Sequence, residues 1–394
     1  MYFVILLLLI VLSFKYDIRG ETRNKVLWYY VTLVIFILVA GLRYRIGGDT
    51  VEYIDRFYSD YPTLDNFSFD DYPIGRDPFY VLLNSLIKSV FGKFYVLQLI
   101  LAIFVNVLIF KYFKRHSKYI FTCATFYFIG FYFIFNTEIL RGSISIVICL
   151  YANDLFINHK WLKGLLLYLI ATMFHVQTIA IVFTPLIFLF FRFNKRGYIF
   201  LAVIFVVSII MQRYFGSLFE TLETVGALSE KGNYYVQSEG FAQEGNLNYF
   251  ILSILPYVVY ITVCVYYLKK TNSLQNIKAI EPFLMLGMAF YFILLNNGIA
   301  NRYIDYYRVY FAILYAEVFV SIAKHGGRKI LNLAHVRALA LFIPMLLLQI
   351  GTFTQLGDGI RYNPYSSVIE KSIDAKREKY YSGIGLPSPR PEEY

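Results

Sequence analysis

Apolar runs long enough to cross a bilayer recur along this chain from residue 2 to about residue 355, separated by short segments that hold most of the charge. In hydrocarbon every backbone polar group must find its partner within the protein, so such runs fold as helices or as closed barrels. Barrel strands alternate apolar and polar residues over about ten positions, whereas these runs are continuous. The expected class is therefore all-α, a polytopic helical membrane protein. Charged residues make up only 16% of the 394 residues, against about a quarter in soluble domains. That excludes an ordinary cytosolic enzyme. The same apolar content excludes a disordered chain.

The first run, Tyr2 to Phe14, has no basic residue before it and no small-residue cleavage site after it. It reads as a retained span and not as a signal peptide. Further spans are expected at 26–42, 94–112, 119–135, 139–157, 162–175, 176–191, 198–214, 248–268, 281–297, 303–323 and 337–355. That gives about 12 spans, with roughly 10 to 13 as the range, since boundaries read from sequence shift by a few residues. The stretch 79–92 is apolar but short, and it carries Asn84 and Lys88. It reads as an amphipathic helix on the outer interface. His175 falls between two short spans in 162–191, where a tight hairpin and a re-entrant pair both fit.

The positive-inside rule tests this arrangement. The six expected inner loops (15–25, 111–118, 158–163, 192–198, 269–278 and 324–337) hold 20 Lys and Arg and only two acids, Asp17 and Glu21. The outer loop 43–93 holds six Lys and Arg with eight acids, and the outer loop 215–247 holds one Lys with five acids. The net charge of +11 is then a matter of topology, and no nucleic-acid partner is implied. Residues 1–356 read as one transmembrane domain. Residues 357–394 read as a polar tail, expected on the outer face and surface-attached or partly disordered. Cys123, Cys149 and Cys264 lie in apolar runs without metal-site spacing, and no HExxH is present, so no metal and no cofactor are expected.

Four clusters on the expected outer face carry chemistry. GLRYRIGGDTVEYIDRF (41–57) joins Arg43, Tyr44 and Arg45 through a glycine turn to Asp49 and Tyr53. Two guanidiniums beside a helix N-terminus favour a phosphate group. The plainer reading is a capping box of Asp49 with Glu52, and arginines that snorkel to headgroups. NTEILRGS (136–143) places Arg141 just inside a span, three residues after Glu138. A charge there is costly and should face the bundle or a cavity; a packing pair with Glu138 is the plainer reading. FHVQT (174–178) offers His175 as a proton acceptor or as a structural histidine. NRYIDYYRVYF (301–311) sets Arg302 and Arg308 around Asp305, with Tyr303 and Tyr306 nearby. Intrahelical pairing and a sugar-and-phosphate surface are both open there.

These segments resemble the EpsG family of bacterial exopolysaccharide proteins. The first-loop pattern of that family falls on Arg43, Gly47, Asp49, Tyr53 and Phe57. DPFYVLLNSLIK resembles its Glu-Pro-x-Tyr-x-x-Leu-Asn segment, with Asp77 where Glu is usual. NTEILRGSISIVI puts Arg141 at the family's arginine, with Gly142 for the usual Gln. FHVQTIAIV resembles its Phe-His-x-Ser segment at His175, and RYNPYSSVI (361–369) is similar as well.

The resemblance implies a GT-C-like, Wzy-type polymerase in the bacterial inner membrane, with its active site facing the periplasm or exterior. Such a protein transfers a growing glycan from its polyprenyl pyrophosphate carrier to the next lipid-linked oligosaccharide repeat unit, building O-antigen, capsule or exopolysaccharide. Its partners would be that lipid-linked substrate, membrane lipids and, optionally, a chain-length regulator. Arg43, Arg45, Arg141, Arg302 and Arg308 are then the candidate pyrophosphate ligands. Asp49, His175 and Asp305 are the candidate bases, in that order. Tyr44, Tyr53, Glu138, Tyr303 and Tyr306 are candidate sugar contacts. A flippase or transporter of lipid-linked glycans, a glycan ligase, an acyltransferase and a structural subunit of a secretion complex stay open as alternatives.

Overall fold

The computed structural model describes residues 1–72, 76–182, 185, 191–212, 255–293, 300–325, 354 and 357–390. The expected outer loop 215–247, and all of the expected span 337–355 except residue 354, lie outside the described residues. The chain divides into two compact units. Unit 1 comprises Met1–Leu155, Lys160–Ala180 and Tyr315–Tyr394; unit 2 comprises Phe156–His159 and Ile181–Leu314. The described residues are helical, with one isolated antiparallel bridge between Arg43 and Ser367.

Unit 1 opens with α1 (Tyr2–Leu12), which continues as π-helical turns over Ser13–Ile18. The helix thus outlasts the 13-residue apolar run. It is followed by α2 (Lys25–Gly41), α3 (Gly48–Ser59), α4 (Pro78–Phe91), α5 (Phe94–His116), α6 (Ile120–Gly130), α7 (Leu140–Ile157) and α8 (Trp161–Phe174). Among the described residues three helices are long and apolar enough to cross a membrane: Phe94–His116, Leu140–Ile157 and Arg302–Lys324. Shorter apolar helices include Lys25–Gly41, Ile120–Gly130 and Trp161–Phe174. At 1.5 Å per residue, α2 measures about 25 Å.

α2 packs along α5, α1 against α6, and α4 against both α5 and α8. Aromatic rings fill the first of these seams. Phe36 meets Phe110 at 5.1 Å and Tyr132 at 4.8 Å between centroids, both edge-on, the arrangement that ring quadrupoles favour. A polar knot crosses the same core. Asn106 Nδ2 donates to Asn136 Oδ1 (2.8 Å), while Asn136 Nδ2 donates to the Tyr132 carbonyl (2.8 Å). A buried amide must be paired, and this pairing ties the π turn after α6 (Ile134–Glu138) to the middle of α5.

α4 is the helix expected at 79–92. It turns Pro78, Tyr80, Val81, Asn84, Ser85 and Ile87 inward and leaves Leu86, Val90 and Phe91 exposed. Its apolar inner face packs with Tyr53, Ile54 and Phe57 of α3 and with Leu140 and Ile144 of α7. The second short apolar segment after His175 begins with a 3-10 turn, Val176–Ile181; most of the remainder, up to residue 190, lies outside the described residues.

The polar tail is ordered against the rest of unit 1. Tyr44 N donates to the Ser366 carbonyl (2.8 Å), Val368 N to that of Leu42 (2.8 Å) and Gly47 N to that of Arg361 (3.1 Å). α14, the tail helix (Ala375–Gly383), is capped by Asp374, whose carboxylate accepts from Arg377 N. Arg377 is buried and donates to the carbonyls of Ile360 and Pro364. By polarity alone this segment reads as a surface-attached or partly disordered tail. Its arginines and tyrosines find partners in backbone carbonyls and in side chains remote in sequence, Glu138 and Asp55 among them, which composition does not reveal.

Unit 2 contains α9 (Lys195–Gln212), α10 (Leu255–Lys270), α11 (Glu281–Ile293) and α12 (Ala300–Ile304). α13 (Arg308–His325) begins in this unit and ends in unit 1. α11 packs against α9 and α12, and Phe290 stacks on Tyr303 and Tyr307 at 5.6 Å each.

Candidate functional site

The site in unit 1 grows from the start of α3. Gly47 sits at φ +96°, a region open to glycine. A Cβ there would also lie 2.5 Å from Thr137 Cβ, so the position is fixed twice over. The turn brings the first amides of α3 onto Glu138, at the end of a π turn spanning Ile134–Glu138. Glu138 accepts from Gly48 N (3.2 Å), Asp49 N (2.9 Å) and the Tyr362 hydroxyl (2.8 Å). The helix begins at Gly48 with Gly47 in the N-cap position, so Asp49 lies inside the first turn and not at the cap. Glu52 pairs with Arg56 along the helix, and the N-cap glycine brings no side chain to the cap. The N-terminal charge of α3 is met by a carboxylate 90 residues away in sequence.

Arg361 completes this end. Its Nη1 would lie 3.4 Å from a Cβ on Gly48, and its Nε and Nη2 donate to the Tyr380 hydroxyl at 3.2 and 3.0 Å. Burial and the neighbouring Glu138 push the Tyr362 phenol above its usual range, so it stays a neutral donor.

One turn along α3, Tyr53 faces a second centre. Arg141 does not pair with Glu138. Its Nη1 donates to Asp77 Oδ2 at 2.6 Å, and its guanidinium lies 5.7 Å from the Tyr53 ring centroid. Asp77 Oδ1 accepts from Val176 N at 2.8 Å. Tyr80 packs edge-on between Tyr53 (6.0 Å) and Tyr61 (6.2 Å). Burial raises the Tyr53 and Tyr61 phenols, which keeps them neutral beside the guanidinium. His175 joins the same place: a Cβ on Gly142 would lie 3.7 Å from His175 Cδ2. Its Nε2 is 3.1 Å from Gln177 Oε1. Three of the four clusters, and the DPFY segment, therefore meet in unit 1.

Arg43 and Arg45 are 2% exposed. Arg43 donates to the carbonyls of Ala40 and Ile46 and to Thr50 Oγ1. Burial away from water lowers it to about 10, so it remains a cation at neutral pH. Arg45 forms a two-point pair with Glu378 (3.0 Å each) and donates to the Pro387 carbonyl (2.8 Å). Arg43 ties the first loop to the end of α2 and to α3, and Arg45 ties it to the tail. Tyr44 is fully buried against Tyr95, and Asp49 is exposed on the first turn of α3.

The fourth cluster belongs to unit 2. Asp305 is buried, with Arg308 Nε 2.5 Å from its Oδ1, the intrahelical pairing that the spacing allowed. Arg302 and Tyr303 are half-buried, and Tyr306 is buried. Among the described residues no three His, Cys, Asp or Glu side chains are grouped to hold a metal ion.

Asp77, Tyr61, Arg361 and Tyr362 are not among the candidate site residues named from sequence, although Asp77, Arg361 and Tyr362 stand in segments that resemble the family. An acid immediately before proline at a helix start marked Asp77, and the RYNPYSSVI stretch marked the other end, but neither spacing predicts a partner so far along the chain.

The sequence model of the EpsG family matches residues 25–367. The chain belongs to the EpsG family. No curated protein and no solved structure matches it. Membership of the EpsG family is consistent with polysaccharide polymerase function and with glycosyltransferase activity. It implies the handling of lipid-linked glycans in general and agrees with association with a membrane. The stretch matched to the EpsG family takes in Asp77, Glu138, Arg141, His175 and Arg361, and so both ends of the site in unit 1.

Proposed function

We propose that this EpsG-family chain polymerises lipid-linked oligosaccharide repeat units at the outer face of a bacterial inner membrane. The growing glycan leaves its polyprenyl pyrophosphate and joins a hydroxyl of the next unit. A base takes the hydroxyl proton, the new glycosidic bond forms, and the pyrophosphate departs with the electron pair of the broken bond. Single displacement inverts the anomeric centre.

The observation that carries this reading is the setting of Arg141. One nitrogen is fixed by Asp77, while its Nε is buried and makes no hydrogen bond among the described residues. A guanidinium held in place with donors to spare suits a leaving pyrophosphate. Tyr53 beneath it offers a sugar contact, and Glu138 orders the α3 N-terminus beside it. Asp49 and His175 are the two candidate bases in this unit; Asp305, with Arg302, Arg308, Tyr303 and Tyr306, is a third candidate centre in unit 2. Arg43 and Arg45 serve the site by holding the first loop in place. The twelve-span arrangement with basic loops inside, and residues 1–356 as the membrane domain, belong to the same proposal.

The test uses purified protein with its lipid-linked repeat unit, resolved as a ladder on a gel. Arg141→Ala should abolish the ladder while the protein stays in the membrane. Full-length polymer from that variant removes Arg141 from the role. No ladder from well-folded wild-type protein with authentic substrate turns the reading toward a flippase or a glycan ligase.

A further inference from the structure

Asp77 is 3% exposed, yet nothing in the proposed chemistry uses it directly. It sits before Pro78 at the start of α4, with φ +53°. Few residue types accept that conformation, and aspartate is one of them. Its two oxygens go to two different elements. Oδ2 takes the Arg141 donor from α7, and Oδ1 takes the Val176 amide, the first after His175. One carboxylate thus fixes the arginine and the turn that carries the histidine, from a third element.

We infer that Asp77 is a positioning residue that sets Arg141 and His175 in register for the transfer, an inference that rests on the polymerase reading. A bare surface arginine would sample many rotamers. Ordering it once, in the fold, removes that cost from the reaction. The pairing also explains how a charge just inside a span is tolerated: a buried cation with a hydrogen-bonded partner is far cheaper than one without. Asp77 partly offsets the charge of Arg141, so it does not act by strengthening anion attraction. Its contribution is geometric.

The experiment compares wild type, Asp77→Ala and Asp77→Glu in the full-length protein, by polymer ladder and by phenylglyoxal modification of Arg141 read by peptide mass spectrometry. Arg43, buried at 2% exposure, is the internal control, because it reacts only if the variant has unfolded. Asp77→Ala should slow polymer formation by about 10²-fold, the scale of a misplaced catalytic contact, and raise Arg141 modification with Arg43 still protected. Asp77→Glu keeps the carboxylate one methylene further out; it should recover the rate to within about tenfold and keep Arg141 shielded. An Asp77→Ala protein with wild-type rate, or with unchanged Arg141 modification and Arg43 protected, overturns the inference. So does an Asp77→Glu protein no better than Asp77→Ala. If wild type gives no ladder, the modification arm still reads the Asp77–Arg141 link without the polymerase reading.

Discussion

Glu138 shows how one side chain replaces what a local motif would have supplied. The first amides of a helix lack partners within it, and α3 presents two of them, Gly48 and Asp49, to the Glu138 carboxylate. Glu138→Ala should cost about 0.5–2 kcal/mol, the scale of a lost helix cap, seen as a lower midpoint of thermal unfolding in detergent. It should also release the Tyr362 hydroxyl, so Tyr362→Phe added to Glu138→Ala should cost less than Tyr362→Phe alone. Additive losses would show that the two do not act through one contact.

At the scale of elements, the first loop and the tail hold each other. Arg45 lies at φ +48°, an unfavourable region for a long side chain. The surrounding contacts hold it there: its guanidinium on Glu378, its carbonyl accepting from Tyr381. Arg390 reaches Asp55 on α3 in the same way. Arg45→Ala should loosen α14, and trypsin should then cut at Lys371, Lys376 or Lys379 faster than in wild type. A double-mutant cycle of Arg45→Ala with Glu378→Ala should return a coupling of about 0.5–3 kcal/mol. An unchanged cleavage rate would mean that the backbone bonds of Ser366 and Val368 suffice to dock the tail.

For the whole molecule, the arrangement proposed from charge is open to labelling. Cys123, Cys149 and Cys264 are buried and free, so they form a silent background. A cysteine placed at Ser117 or His159 should resist a membrane-impermeant thiol reagent in intact cells and react once the membrane is opened. One placed at Ser68 or Ser382 should react in intact cells. Labelling of Ser117→Cys from outside would invert the proposed orientation and put the Arg141 centre on the wrong face for a lipid-linked substrate flipped outward.

The sequence by itself determined the class of this protein and the place of most helices in unit 1. Continuous apolar runs, without the alternation of barrel strands, pair their backbone groups within a helix, and α2, α5, α7 and α8 start and stop within a few residues of the expected positions. The family was legible too, because five short motifs stand in order along most of the chain. Partners were not legible. Arg141 and Glu138 are three residues apart on paper, yet each is claimed by a group remote in sequence: Asp77, 64 residues before Arg141, and the first amides of α3, 89 and 90 residues before Glu138. Arg43 and Arg45 stand two residues apart and read alike in sequence, yet Arg43 finds its partners within seven residues, at Ala40, Ile46 and Thr50, while Arg45 meets a tail residue 333 positions on. Hydrophobic periodicity is a local property and survives any rearrangement of the helices. Which charge meets which is decided only when those helices pack.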